Sequence, residues 1–306
     1  MTMIWKGVMP ATTTAFDADL KIDHAFVAKH ANWLIDNGCT GIVTPGSLGE
    51  SATLTVDEKQ SIWKTVIDAV GNRVPVVAAI ASLSTAEAIE LAKRANDIGC
   101  SGLMVLPPYV YKSDWREMKA HVDAVFKATS LSCMLYNNPV AYGTDYLPEQ
   151  IAELSEEHAN FHAVKESSTD VRRVTWIREL LGDRLAIFVG VDDAIVEAIA
   201  VGATGWVAGL VNALPKESVD VFNYAMNGER EKALTLYNWF LPLLRMDTVP
   251  KFVQLIKLVQ AEVGMGNARV RPPRLELAGA ELEEALKVIR HALANRPGVE
   301  VTAAQG

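Results

Sequence analysis

Val74-Pro75-Val76-Val77-Ala78-Ala79-Ile80 is an apolar run too short for a helix and too continuous for a strand with one wet face. Runs of this kind belong to strands covered on both sides, and double coverage is the signature of a parallel sheet wrapped in helices. Gly102-Leu103-Met104-Val105-Leu106 and Leu185-Ala186-Ile187-Phe188-Val189 repeat the pattern further along the chain. Working outward from these three, strands are expected at Gly7–Ala11, Gly41–Thr44, Val76–Ile80, Gly102–Leu106, Ser132–Tyr136, His162–Lys165, Ala186–Gly190 and Gly205–Ala208. Between them, segments such as His24–Asn37, Val56–Val70, Thr85–Ile98 and Trp115–Ala128 place apolar residues at spacings of three and four, as a helix covering a sheet requires. Eight such units predict a (β/α)8 TIM barrel over residues 1–212, its last helix running to about 227. A doubly wound open sheet is the alternative, but no GxGxxG opens the first turn.

After Asn212 the strand signals stop. Val219–Asn227, Glu229–Leu244, Pro250–Val263 and Gly279–Ala294 read as helices, so residues 228–306 form a C-terminal helical extension. Pro242 is expected to interrupt its helix, and Arg271-Pro272-Pro273-Arg274 must be extended or turning. The tail from Asn295 carries no apolar period and reads as a frayed terminus.

The 306 residues are 50% hydrophobic and 22% charged, a globular mix that excludes disordered and fibrous classes. A net charge of −8 without a basic block argues against nucleic acid as a partner. No apolar run reaches the roughly 18 to 20 residues of a membrane span, and Met1–Pro10 lacks the features of a signal peptide, so no membrane partner and a cytoplasmic location are expected. Cys39, Cys100 and Cys133 are widely spaced and suggest neither a disulfide framework nor a zinc site. The six histidines show no HxH or HExxH spacing, so no metal is expected, and with neither a Walker loop nor a GxGxxG motif no organic cofactor of the nucleotide kind is expected.

In such a barrel the chemistry lies at the C-terminal strand ends. Those ends carry Gly46-Ser47-Leu48-Gly49-Glu50, Pro107-Pro108-Tyr109, Tyr136-Asn137-Asn138-Pro139, Lys165-Glu166-Ser167-Ser168, Gly190-Val191-Asp192-Asp193 and Ala208-Gly209. A lysine projecting into a barrel mouth must have its ammonium paired or its pKa lowered, so Lys165 is a neutral amine able to attack a carbonyl or imine carbon or, on the blander reading, an ion-pair partner of Glu166 or a solvated loop lysine. Tyr136, ending the neighbouring strand, is placed to relay protons to it or simply to pack. Gly46 and Ser47 offer a small nest suited to a carboxylate, or merely a turn from which Glu50 and Ser51 begin the next helix. Asp192 and Asp193 are expected to cap the helix that follows them.

Taken together, Gly46-Ser47-Leu48-Gly49-Glu50, Tyr136-Asn137-Asn138-Pro139 and Val164-Lys165-Glu166-Ser167-Ser168 resemble the motifs of the dihydrodipicolinate synthase / N-acetylneuraminate lyase family. The resemblance implies a lysine Schiff base to a 2-oxo acid or its cyclic imine, a tyrosine relay and a homotetramer. It makes Lys165 the nucleophile, Tyr136 the relay, Ser47 catalytic, and Gly46, Ser47, Leu48, Asn137, Gly190 and Ala208 the residues around a small-molecule substrate. Three departures separate the chain from the founding synthase pattern: Leu48 for a threonine, Val110 for an aromatic, and no arginine in Val140-Ala141-Tyr142. Tracts including Val201–Val207 and Arg271–Leu275 are similar instead to the branch that deaminates 1-pyrroline-4-hydroxy-2-carboxylate.

Overall fold

The computed structural model describes residues 3–109 and 111–298. Val110 and the last eight residues of the tail lie outside them. Eight strands form one sheet: β1 (Gly7–Pro10), β2 (Ile42–Thr44), β3 (Val76–Ile80), β4 (Gly102–Val105), β5 (Ser132–Asn137), β6 (Phe161–Glu166), β7 (Ala186–Val189) and β8 (Gly205–Ala208). All neighbours run parallel in the order β1-β8-β7-β6-β5-β4-β3-β2. A parallel bridge between Ala11 and Val43 joins β1 to β2 and closes the expected (β/α)8 barrel.

The barrel's helices are α1 (His24–Asp36), α2 (Val56–Val70), α3 (Thr85–Asp97), α4 (Trp115–Lys127), the single turn α5 (Pro139–Tyr142), α6 (Pro148–Glu157), α7 (Arg172–Leu181), α8 (Ile195–Ala200) and α9 (Pro215–Met226). Their starts are written locally. Thr55 and Asp114 each form a reciprocal capping box, with Glu58 and Glu117, which satisfies amide donors the first helical turn leaves open. Asn138 accepts from the Ala141 amide at 2.9 Å, and with Pro139 at the first helical position it starts α5 directly after β5.

Beyond the barrel lie α10 (Arg230–Leu244), α11 (Phe252–Glu262) and α12 (Gly279–Ala294). Pro242 does not break α10: the helix runs through it, its outer face is exposed, and the chain tightens into a 3₁₀ turn at Arg245–Asp247 only afterwards. The apolar core is continuous from the strands into this extension, including Phe240, Val253 and Ile289. Each large apolar side chain so buried contributes roughly 1.5 to 3 kcal/mol before ordering costs. None of the described helices is long and apolar enough to cross a membrane.

Two strand-end expectations are corrected. Asp192 does not cap the next helix, because its carboxylate accepts from Trp206 Nε1 at 3.0 Å, the Gly209 amide at 3.1 Å and the Leu210 amide at 2.7 Å. Glu50 does not simply open a helix either. It sits in the left-handed region at φ 59° with no exposure, and accepts from Lys257 Nζ of α11 at 2.5 Å and the Arg271 amide at 2.9 Å.

Candidate active site

Lys165 and Tyr136 are paired residues of β6 and β5, so both side chains enter the barrel from adjacent strands. The ammonium nitrogen lies 4.1 Å from the centroid of the Tyr136 ring. Among the described residues it makes no hydrogen bond and no ion pair. Burial lowers its pKa to about 8, against the pull of the Asp247 and Asp192 charges, which favour the protonated form. Glu166 does not neutralise it. As the next strand residue Glu166 points to the opposite face, where it accepts from Asn137 Nδ2 at 3.1 Å and from the Ser168 amide at 2.6 Å. Of the blander readings open to Lys165 from sequence, the ion pair with Glu166 is absent among the described residues and the solvated loop lysine is excluded by its burial.

Tyr136 accepts a hydrogen bond from Asn138 Nδ2 at 3.0 Å, and burial pushes its phenol up to about 12. Tyr142, delivered by α5, stands edge-on to it with ring centroids 5.9 Å apart, and Tyr109 packs against Tyr142 at 5.5 Å. The Tyr142 and Ser47 hydroxyls are hydrogen-bonded to each other. The barrel mouth therefore holds an amine, two phenols and a serine hydroxyl, with Tyr109 packed behind Tyr142.

Lys165, Tyr136, Tyr142 and Ser47 border a cavity of about 450 Å³. Gly46, Ser47, Leu48 and Gly190 line it, as does Ala141. Asn137 and Ala208, expected beside substrate, lie outside the lining, and strand parity is the reason. Tyr136 faces in, so Asn137 faces out and binds Asp145 and the Tyr146 carbonyl and amide. Val207 and Gly209 face in, so Ala208 packs in the wall. Gly190 matters by its size: a Cβ there would lie 2.0 Å from Ser167 Oγ and 2.3 Å from Lys165 Cε, so only glycine leaves the lysine its path.

Three ionisable lining residues escaped the strand-end reading. Tyr142 comes from a one-turn helix with no periodic signal. Asp247 and Arg274 come from the extension, about which barrel rules say nothing. Arg274 brings to the mouth a cation that the tract after β5 lacks, and among the described residues it has no acidic partner.

The family model for the dihydrodipicolinate synthetase family matches residues 4–292. The 4-hydroxy-tetrahydrodipicolinate synthase of Methanocaldococcus jannaschii is 32% identical over 291 residues, 95% of this chain and 98% of that one. Its namesake from Desulforudis audaxviator is 33% identical, covering 94% and 97%. Among solved structures, a dihydrodipicolinate synthase of Bacillus anthracis superposes with a TM-score of 0.90 at 32% identity, covering 94% and 99%. One from Acinetobacter baumannii, complexed with pyruvate, gives 0.89 at 28% identity, covering 94% and 98%. These relatives carry the synthase name, and the resemblance to the pyrroline-deaminating branch receives no support from them. A match across nearly the whole chain, added to the barrel and the lysine in its mouth, makes this protein an enzyme of the dihydrodipicolinate synthetase family, whose members are lysine Schiff-base lyases.

Proposed function

We propose that Lys165 attacks C2 of a small 2-oxo acid or of its cyclic imine and forms a Schiff base. The observation that carries this reading is the buried amine, unpaired among the described residues and lying over the Tyr136 ring in the cavity. With a pKa of about 8, about a tenth of the amine is neutral at pH 7. The iminium then acidifies C3, Tyr136 carries the proton, and the amides and hydroxyl around Gly46 and Ser47 hold the C2 carboxylate.

For the finer assignment we favour deamination of 1-pyrroline-4-hydroxy-2-carboxylate. Transimination frees the ring nitrogen as an amine at C5, loss of the C3 proton expels the C4 hydroxyl as water to leave a C3–C4 unsaturated iminium, and transfer of a C5 proton to C3 gives the C4–C5 enamine, which tautomerises to an imine at C5. Hydrolysis at C5 and C2 releases ammonia and 2,5-dioxopentanoate and restores Lys165. Leu48 and Ala141 support it, since each lines the cavity where the synthase pattern would place a hydroxyl and a guanidinium. The second reading is condensation of pyruvate with aspartate semialdehyde. The names of the relatives favour it, and so does Arg274, a cation that a second carboxylate would want. The two are separated by incubating the enzyme with the imine in one arm and with pyruvate plus aspartate semialdehyde in the other. Ammonia release confined to the first arm supports the deaminase, and turnover in the second at a comparable rate restores the synthase. A homotetramer and a cytoplasmic location complete the proposal. The latter is in keeping with Cys39, Cys100 and Cys133, buried free thiols.

A further inference from the structure

Two glycines at adjacent strand ends each leave room for one reactive side chain. Gly190, after β7, makes way for Lys165. Gly209, after β8, makes way for Asp247, whose Oδ1 would lie 2.0 Å and whose Cγ 2.6 Å from a Cβ built there. Asp247 ends the 3₁₀ turn that follows α10, so the C-terminal extension inserts this carboxyl into the mouth. Among the described residues it is the one carboxyl group lining the cavity, and it makes no hydrogen bond or ion pair with any of them. Asp192, the other acid felt by Lys165, does not line the cavity and is occupied by Trp206 and two backbone amides.

Resting on the Lys165 Schiff base proposed above, we propose that Asp247 is a further catalytic residue, the acid that protonates the group leaving C2 as the iminium forms. The Nζ–C2 bond has formed, and the bond from C2 to the departing oxygen of a 2-oxo acid, or to the ring nitrogen of a cyclic imine, breaks. The proton passes from the Asp247 carboxyl to that atom, which leaves as water or as the free amine. What remains is an iminium beside a carboxylate. The amine–acid pair is neutral before the step and neutral after it, so the step adds no net charge to the cavity.

The surroundings are suited to holding that proton. The charged or titratable groups facing Asp247 are Lys165 on β6, Tyr136 on β5, and Asp192 and Asp193 after β7. Arg245, on its own turn, is engaged by Asp193 at 3.7 Å. Burial and the neighbouring Asp192 raise the Asp247 pKa well above the carboxylate range, while Lys165 opposes them. Amine and acid share protons as one unit. Only the form with neutral Lys165 and protonated Asp247 is productive, so the rate of iminium formation passes through a maximum with pH.

The test measures the rate of pyruvate capture by the whole protein, quenched with borohydride, from pH 6 to 10. Wild type should give a bell. Asp247→Asn should lose about 10²-fold at the maximum and turn the bell into a single rising curve, because only the lysine then titrates. Gly209→Ala, which keeps the carboxyl but displaces it, should lose rate in the same way while its thermal midpoint reports an intact fold. A bell of unchanged shape and similar height in Asp247→Asn overturns the role of Asp247. Wild type that is never captured removes the Schiff base itself, and this inference with it.

Discussion

At the scale of single residues, Lys165 is costly to the fold and is kept in spite of that cost. Burial depresses its pKa from 10.5 to about 8, so below pH 8 the folded protein carries a desolvated charge that the unfolded chain keeps in water. Between about pH 8 and 10.5 the unfolded state binds the extra proton, and stability rises with pH across that window. Lys165→Met should therefore be more stable than wild type at pH 7, by about 0.5 to 2 kcal/mol, as expected when a group held for activity is replaced by an apolar one. The advantage should shrink by pH 10. Denaturant midpoints at the two pH values check this, and a variant less stable at pH 7 would show that the amine is not destabilising. Tyr136→Phe deletes one hydroxyl and keeps the ring. A lost proton relay should lower kcat by about 10²- to 10⁴-fold with KM changed less, whereas a large KM effect at preserved kcat would make Tyr136 a binding group. The positions of both residues at the barrel mouth were legible in sequence, because each closes an apolar run. Asn137 and Ala208 were drawn toward the substrate by the same proximity, and the alternation of side chains along a strand sends them the other way.

At the scale of elements, the turn after β2 is braced by the extension through a buried ion pair. Glu50 and Lys257 are almost wholly buried, and Lys257 also donates to the Arg269 carbonyl at 2.6 Å. Arg271 adds its amide to Glu50 and its guanidinium to Glu58 of α2 at 2.7 Å, which holds that carboxyl below its usual range. Breaking such a pair from one side leaves an uncompensated charge in the core. Lys257→Met should cost about 3 to 5 kcal/mol, and Glu50→Gln in the same chain should restore part of it. Chemical denaturation of the single and double variants checks this, and additivity of the two losses would argue against a coupled pair. The sequence places Glu50 at a glycine-rich turn, where helix initiation is the local expectation. Its partner is 207 residues away, and no local pattern announces a contact at that distance. Helix positions fared better, since caps such as Thr55 and Asp114 are local signals.

At the scale of the whole molecule, the barrel supplies the lysine and the extension supplies much of what surrounds it. Continuous apolar runs announced the barrel, and eight strands follow from them almost residue for residue. The presence of Asp247 and Arg274 in the cavity lining was not announced, because rules for barrel strand ends stop where the barrel stops. The central claim is that this assembly makes Lys165 a nucleophile toward a 2-oxo carbon, and covalent capture tests it most directly. The full chain is incubated with pyruvate, reduced with borohydride, weighed intact and mapped by peptide. The account predicts one added pyruvate, less water and plus two hydrogens, on the peptide carrying Lys165, and no addition together with no turnover in Lys165→Ala. An unmodified chain, or an adduct that persists in Lys165→Ala, would contradict it.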